Sequence, residues 1–166
     1  MTSKFNLEPH LHRAYDSVGL TAHDVDVDAI HDVAGAIARA GLRPMAPVGG
    51  YLWGAAIGQR PEADRAELQQ ALLDVVPSTP LDSEQAEDPA QWHAFTQRAC
   101  DALGLDVDDV PVDELPGIGR HIAHASVRPM APVATYLLGL AHTRSGESLT
   151  DLLERIMRAL EQVTDA

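Results

Sequence analysis

Residues 43–48, Arg-Pro-Met-Ala-Pro-Val, recur unchanged at 128–133, an offset of 85 residues. At that offset, and without a gap, 7–56 aligns with 92–141 and shares 22 identities in 50 positions. Chance would give a handful, so the chain is a duplicated unit and its fold must be built twice. A unit of roughly 80 residues buries a smaller share of its surface alone than a larger domain does, which favours two copies sharing one interior. The expected organisation is a helical repeat at 1–77, a polar, proline-containing linker at 78–87, and a second helical repeat at 88–166.

Each repeat reads as four helices. The first helix of the second copy opens with Asp88-Pro89-Ala90-Gln91, a cap followed by proline at the first helical position. It places Trp92, Ala99 and Leu103 on one side; Leu7, Leu11, Ala14 and Val18 are the counterparts. Gly19 and Gly104 end these helices. The second helix is expected to start after Asp28 or Asp113 and to bury Ile30, Val33, Ile37 or Leu115, Ile118, Ile122. Pro44 and Pro129 then stop it. The third helix begins near Pro47 or Pro132 and is apolar all round, which calls for burial on two sides. Small residues four apart (Gly50, Gly54, Gly58; Thr135, Gly139, Thr143) invite close approach by another backbone. The fourth helix is amphipathic and starts at Asp64 or near Ser148. The expected fold is all-α, two tandem four-helix repeats packed as a pseudo-two-fold bundle.

Charge narrows the partners. Twelve Lys and Arg stand against 25 Asp and Glu, a net charge of −13 divided as −6 and −7 between residues 1–85 and 86–166. Phosphate affinity is built from clustered cations, so neither nucleic acid nor an anionic membrane surface is expected as a partner. The N-terminal stretch has no apolar core of a signal peptide, and the most apolar run, 45–58, is broken by Pro47 and several glycines. A single cysteine, Cys100, permits no internal disulfide and suits a cytoplasmic location.

Candidate chemistry is sparse. Arg43 and Arg128 precede the third helix of each repeat, where the helix dipole favours an anion, and together suggest a paired anion or phosphate site. The competing reading is structural, with each arginine tying its corner to the recurring Asp16/Asp101 or Asp28/Asp113. Asp24, Asp26, Asp28 and Asp106, Asp108, Asp109, Asp113 lack the glycine and bidentate glutamate of a calcium loop, and read as solvated loop carboxylates with one N-cap. Of eight histidines, His121 and His124 alone have spacing for joint ligation, and the other copy has Ala36 and Arg39 there. No metal site is expected. Cys100 is replaced by Tyr15 in the other copy and reads as an inert thiol, and Tyr51 and Tyr136 as donors to buried partners. No nucleophile elbow, phosphate-cradling glycine loop or zinc-protease signature occurs, so an enzyme is not expected.

The segments 42–52 and 124–141, with their Arg-Pro-x-Ala-Pro order followed by Tyr, Leu and Gly, resemble a small helical domain of actinobacteria without an established activity. That domain is similar to one appended to molybdenum-cofactor guanylyltransferases or encoded beside formate dehydrogenase and its sulfur-transfer maturation factor. The usual unit is single; here it is in tandem. The guanylyltransferase nucleotide loop is missing, so that activity does not carry over. The resemblance implies a place in molybdenum-cofactor enzyme assembly with no catalytic residue carried over; the acidic surface and apolar third helix suit a non-catalytic accessory that binds another protein, with no cofactor of its own. Its interface is expected on an exposed part of the third helices, at Gly50, Trp53, Gly54, Ile57, Leu138 and Gly139, or on the acidic loops. The alternative is a helical module whose Arg43 and Arg128 hold the phosphates of a cofactor such as molybdopterin guanine dinucleotide. A structural scaffold without ligand is the third reading.

Overall fold

A computed structural model describes residues 7–164, and these contain helices and turns but no strand. The first repeat forms α1 (Glu8–Ser17), α2 (Val27–Arg39), α3 (Ala46–Gln59) and α4 (Arg65–Asp74). A one-turn α5 (Ser83–Ala86) interrupts the expected linker. The second repeat forms α6 (Pro89–Leu103), α7 (Leu115–Ala125), α8 (Met130–Ser145) and α9 (Leu149–Thr164). The four expected helices are present in each copy.

Local signals explain most of the boundaries. Asp88 accepts the Ala90 N–H ahead of Pro89, and Asp64 accepts from Ala66 and Glu67. Gly19 and Gly104 adopt φ of 75° and 73°, the left-handed conformation that closes α1 and α6. Two expected caps move. Asp26, not Asp28, caps α2, because its extended backbone aims the carboxylate at the Ala29 N–H. Asp113 does not cap α7, which starts at Leu115 without a side-chain cap; its carboxylate instead meets His93 Nε2 at 2.9 Å.

The molecule is organised around α3 and α8. Along this pair, Gly50 faces Pro132, Gly54 faces Tyr136 and Leu140, and Gly58 faces Leu140 and Thr143. Gly139 answers from the other side against Tyr51 and Ala55. Both sequences climb together, so the helices are parallel and in register, with backbones in direct contact where Cβ is missing. The threonine hydroxyls at this seam bond back to their own helix, Thr135 to the Ala131 carbonyl and Thr143 to that of Gly139. No polar atom of either threonine is therefore buried without a partner.

The remaining helices wrap the pair crosswise. Helix α2 packs on α3 and reaches α8; α7 packs on α8 and reaches α3. The first helices are exchanged: α1 lies on α9 and α8, whereas α6 lies on α4 and α3. Each repeat thus lends its first helix to the other. Ile30, Val33, Ile37, Leu115 and Ile122 are buried as their spacing predicts. Ile118, Leu7, Leu11 and Trp92 are only partly covered, and Phe95, unremarked in the pattern, is fully buried.

Candidate functional site: the paired arginine corners

Because α3 and α8 are parallel, both Arg-Pro-Met-Ala-Pro corners lie at one end of the molecule. The first forms a 3-10 turn over Arg43–Met45 that runs directly into α3; the second leads into α8. Met45 and Met130 are fully buried and anchor the two turns. The corners also lock the repeats together: Pro47 packs against Gly119 of α7, and His31 of α2 contacts the Pro129 carbonyl at 2.9 Å. Identity of the corner in both copies therefore has a structural cause in its prolines and methionine.

The arginine has no such cause. Arg43 and Arg128 are exposed, and neither makes an ion pair with a carboxylate of the described residues. The tie to aspartate of the competing reading is not made: three of the four aspartates are engaged elsewhere and the fourth is exposed. Asp16 pairs with His12, Asp113 with His93, and Asp101 accepts from Gln97; Asp28 points to solvent.

The amide cradle expected of a helix N-terminus is also incomplete. Pro44, Pro47, Pro129 and Pro132 have no N–H. The Met45 and Ala46 amides already donate to Leu42 and Arg43, and those of Met130 and Ala131 to Val127 and Arg128. What the corners present to a ligand is two guanidinium groups over two parallel helix dipoles, with few free amides.

A family model described as a domain of unknown function, DUF6457, matches residues 4–83 and again residues 87–166. The chain belongs to the DUF6457 family. It carries two copies of that domain, and the exchange of α1 and α6 shows how two DUF6457 units interlock. No curated protein and no solved structure matches the chain.

The face of the third helices expected to meet a partner lies inside this DUF6457 pair. Gly50, Trp53, Gly54, Ile57, Leu138 and Gly139 are all buried, with Trp53 at 3% exposure and Leu138 at 1%. The small residues that permit close approach are used by the other repeat. Trp53 packs against Tyr136 with the rings tilted by 50° and their centroids 5.3 Å apart, and donates its indole N–H to the Arg65 carbonyl.

At the opposite end of α3 and α8 the polar groups are mutually engaged. The Asp24 carboxylate meets Arg144 at 3.0 Å and Arg65 at 3.7 Å, while the Tyr136 hydroxyl donates to the Asp24 carbonyl. Burial alone would raise the Asp24 carboxyl; bonds from the Thr21 amide and the Arg144 guanidinium outweigh it and hold it below its usual value. Burial pushes the Tyr51 and Tyr136 phenols up to about 12, so both are proton donors rather than bases near neutrality. Cys100 is fully buried, its thiol pushed up to about 11.

Asp26 caps α2 in place of the expected Asp28, and Asp106 caps only the short 3-10 turn at Val107–Asp109. His121 and His124 are exposed, and among the described residues no three His, Cys, Asp or Glu side chains converge as a metal would require. No described helix is long and apolar enough to cross a membrane.

Proposed function

We propose that the chain is a non-catalytic, cytoplasmic accessory that works by binding another protein, and that its contact surface is the end carrying Arg43 and Arg128. The observation behind this reading is the exposure of the same arginine in two otherwise diverged copies, at one end, with no carboxylate partner among the described residues. An exposed arginine at both corners without a carboxylate partner among the described residues is open to an external one. The partner class, a molybdenum enzyme such as formate dehydrogenase or its maturation factor, comes from the resemblance of the Arg-Pro-x-Ala-Pro segments.

The second reading is a site for a phosphate-bearing cofactor such as molybdopterin guanine dinucleotide. Two guanidiniums over parallel dipoles favour it. The prolines and occupied amides disfavour it, and neither arginine lines the open clefts beside α9, of about 700 and 400 Å³. The residues at the corners fit surface contact with a carboxylate better than enclosure of a nucleotide.

A tagged chain is expected to recover formate dehydrogenase or its maturation factor on purification, and an Arg43→Ala/Arg128→Ala variant to lose it. Deletion of the gene without any effect on formate oxidation counts against this partner class. A natively purified protein that carries a nucleotide by mass spectrometry, lost in the double variant, moves the conclusion to the second reading.

A further inference from the structure

Residues 33–61 and 115–146 contain no aspartate or glutamate, yet they hold half of the 12 Lys and Arg in a chain of charge −13. Both segments run from the body of the second helix through the corner to the end of the third helix. At the far end, their arginines are occupied: Arg60 donates to the Leu103 carbonyl, and Arg144 holds Asp24. At the corner end they are not. Arg39, Arg43, Arg120 and Arg128 are exposed, as is His124, and none makes an ion pair with a described carboxylate.

The packing joins these side chains into one face. Arg39 ends α2 before the first corner, but its guanidinium folds back over Gly35, so it borders this face rather than filling it. Helix α7 lies against that corner through Gly119 and Pro47, one residue before exposed Arg120, and then leads past His124 to Arg128. Half-exposed Pro44, Pro47, Pro129 and Pro132 lie between the cations. Carboxylates return at the border, at Asp32 next to His31 and at Asp82 beyond Leu81, whose N–H docks on the Ala40 carbonyl. The positive ends of α3 and α8 add to the same field.

We propose that this face docks an acidic peptide segment of the partner protein; the inference rests on the reading of the chain as a protein-binding accessory. A short run of glutamates or aspartates matches its charge, and the partly exposed prolines next to Arg43 and Arg128 offer apolar contact. A nucleic acid fits less well, since its backbone would continue past the border onto a surface dominated by carboxylates.

The test uses the full chain and a fluorescein-labelled, glutamate-rich peptide of about 12 residues, followed by anisotropy at low and physiological salt. Binding is expected to weaken with salt and to fall at least about 10-fold in Arg43→Glu/Arg128→Glu, with Arg98→Glu on α6 close to wild type. Circular dichroism and melting temperature check folding, and Arg43→Gln/Arg128→Gln replaces the reversal if it does not fold. Absence of peptide binding, equal binding by the corner variant, or tighter binding of a single-stranded oligonucleotide overturns the proposal. Recovery of the same partner by wild type and corner variant overturns it too, while leaving the protein-binding reading standing. Arginine-dependent peptide binding supports the proposal even where no formate dehydrogenase is recovered, an outcome that counts against the partner class instead.

Discussion

A Cβ at Gly54 would overlap the carbonyl oxygen of Tyr136, and a Cβ at Gly139 would overlap that of Tyr51. These reciprocal contacts make the two third helices a single unit, with backbone where other helix pairs have side chains. The obstacle to substitution is backbone, which cannot rotate away. Gly54→Ala and Gly139→Ala are each expected to destabilise by about 1–3 kcal/mol or more, read from denaturant midpoints. Gly117→Ala on α7, with open space around its Cβ position, should be neutral or stabilising by about 0.5–1 kcal/mol. Equal effects at the seam and at Gly117 would refute the packing described.

Asp24 links the repeats through Arg144, and its carboxyl is held below its usual value. A depressed carboxyl contributes stability above its unfolded-state pKa and loses it as pH falls through the folded value. Asp24→Asn should therefore melt below wild type at pH 7, by the equivalent of about 1–3 kcal/mol for the charged bonds lost. The gap should close in acid, below the ordinary aspartate range. A gap independent of pH would show that the charge is not what matters.

Cys100 is buried with its thiol pushed up to about 11, so thiolate is scarce and sheltered at neutral pH. A thiol-specific disulfide reagent at pH 8 is expected to leave the native chain unmodified and to react with one thiol per chain in guanidinium. Prompt reaction of the native protein would contradict this burial.

The exchange of α1 and α6 means that neither half carries its own first helix on its own core. Cleavage between Ser78 and Thr79, exposed positions in the linker, is expected to leave the fragments as a 1:1 complex that coelutes on size exclusion. Fragments that separate as folded monomers would overturn the interlocked arrangement.

Much of this was readable along the chain. The identity of 43–48 with 128–133 announced duplication, and the 3.6-residue spacing of Ile30, Val33 and Ile37 announced a helix with one buried face. Caps and left-handed glycines are local, so Asp64, Asp88, Gly19 and Gly104 were legible from immediate neighbours. Asp26 displaced Asp28 as the cap because two residues of extended chain decide which carboxylate reaches the Ala29 amide. What occupies an apolar helix face is not local. Gly50, Gly54 and Gly139 mark close approach, but the same pattern serves a partner or a second repeat, and only the fold assigns it to the repeat. Nor is a charge's fate local: Arg144 meets Asp24 from 120 residues away, whereas Arg128 meets no described carboxylate. The repeat, the helices and the charge are all written in local stretches of residues. Which glycines are consumed inside and which arginines remain outside is not, because both follow from parallel packing of α3 and α8, a contact between residues some 85 positions apart.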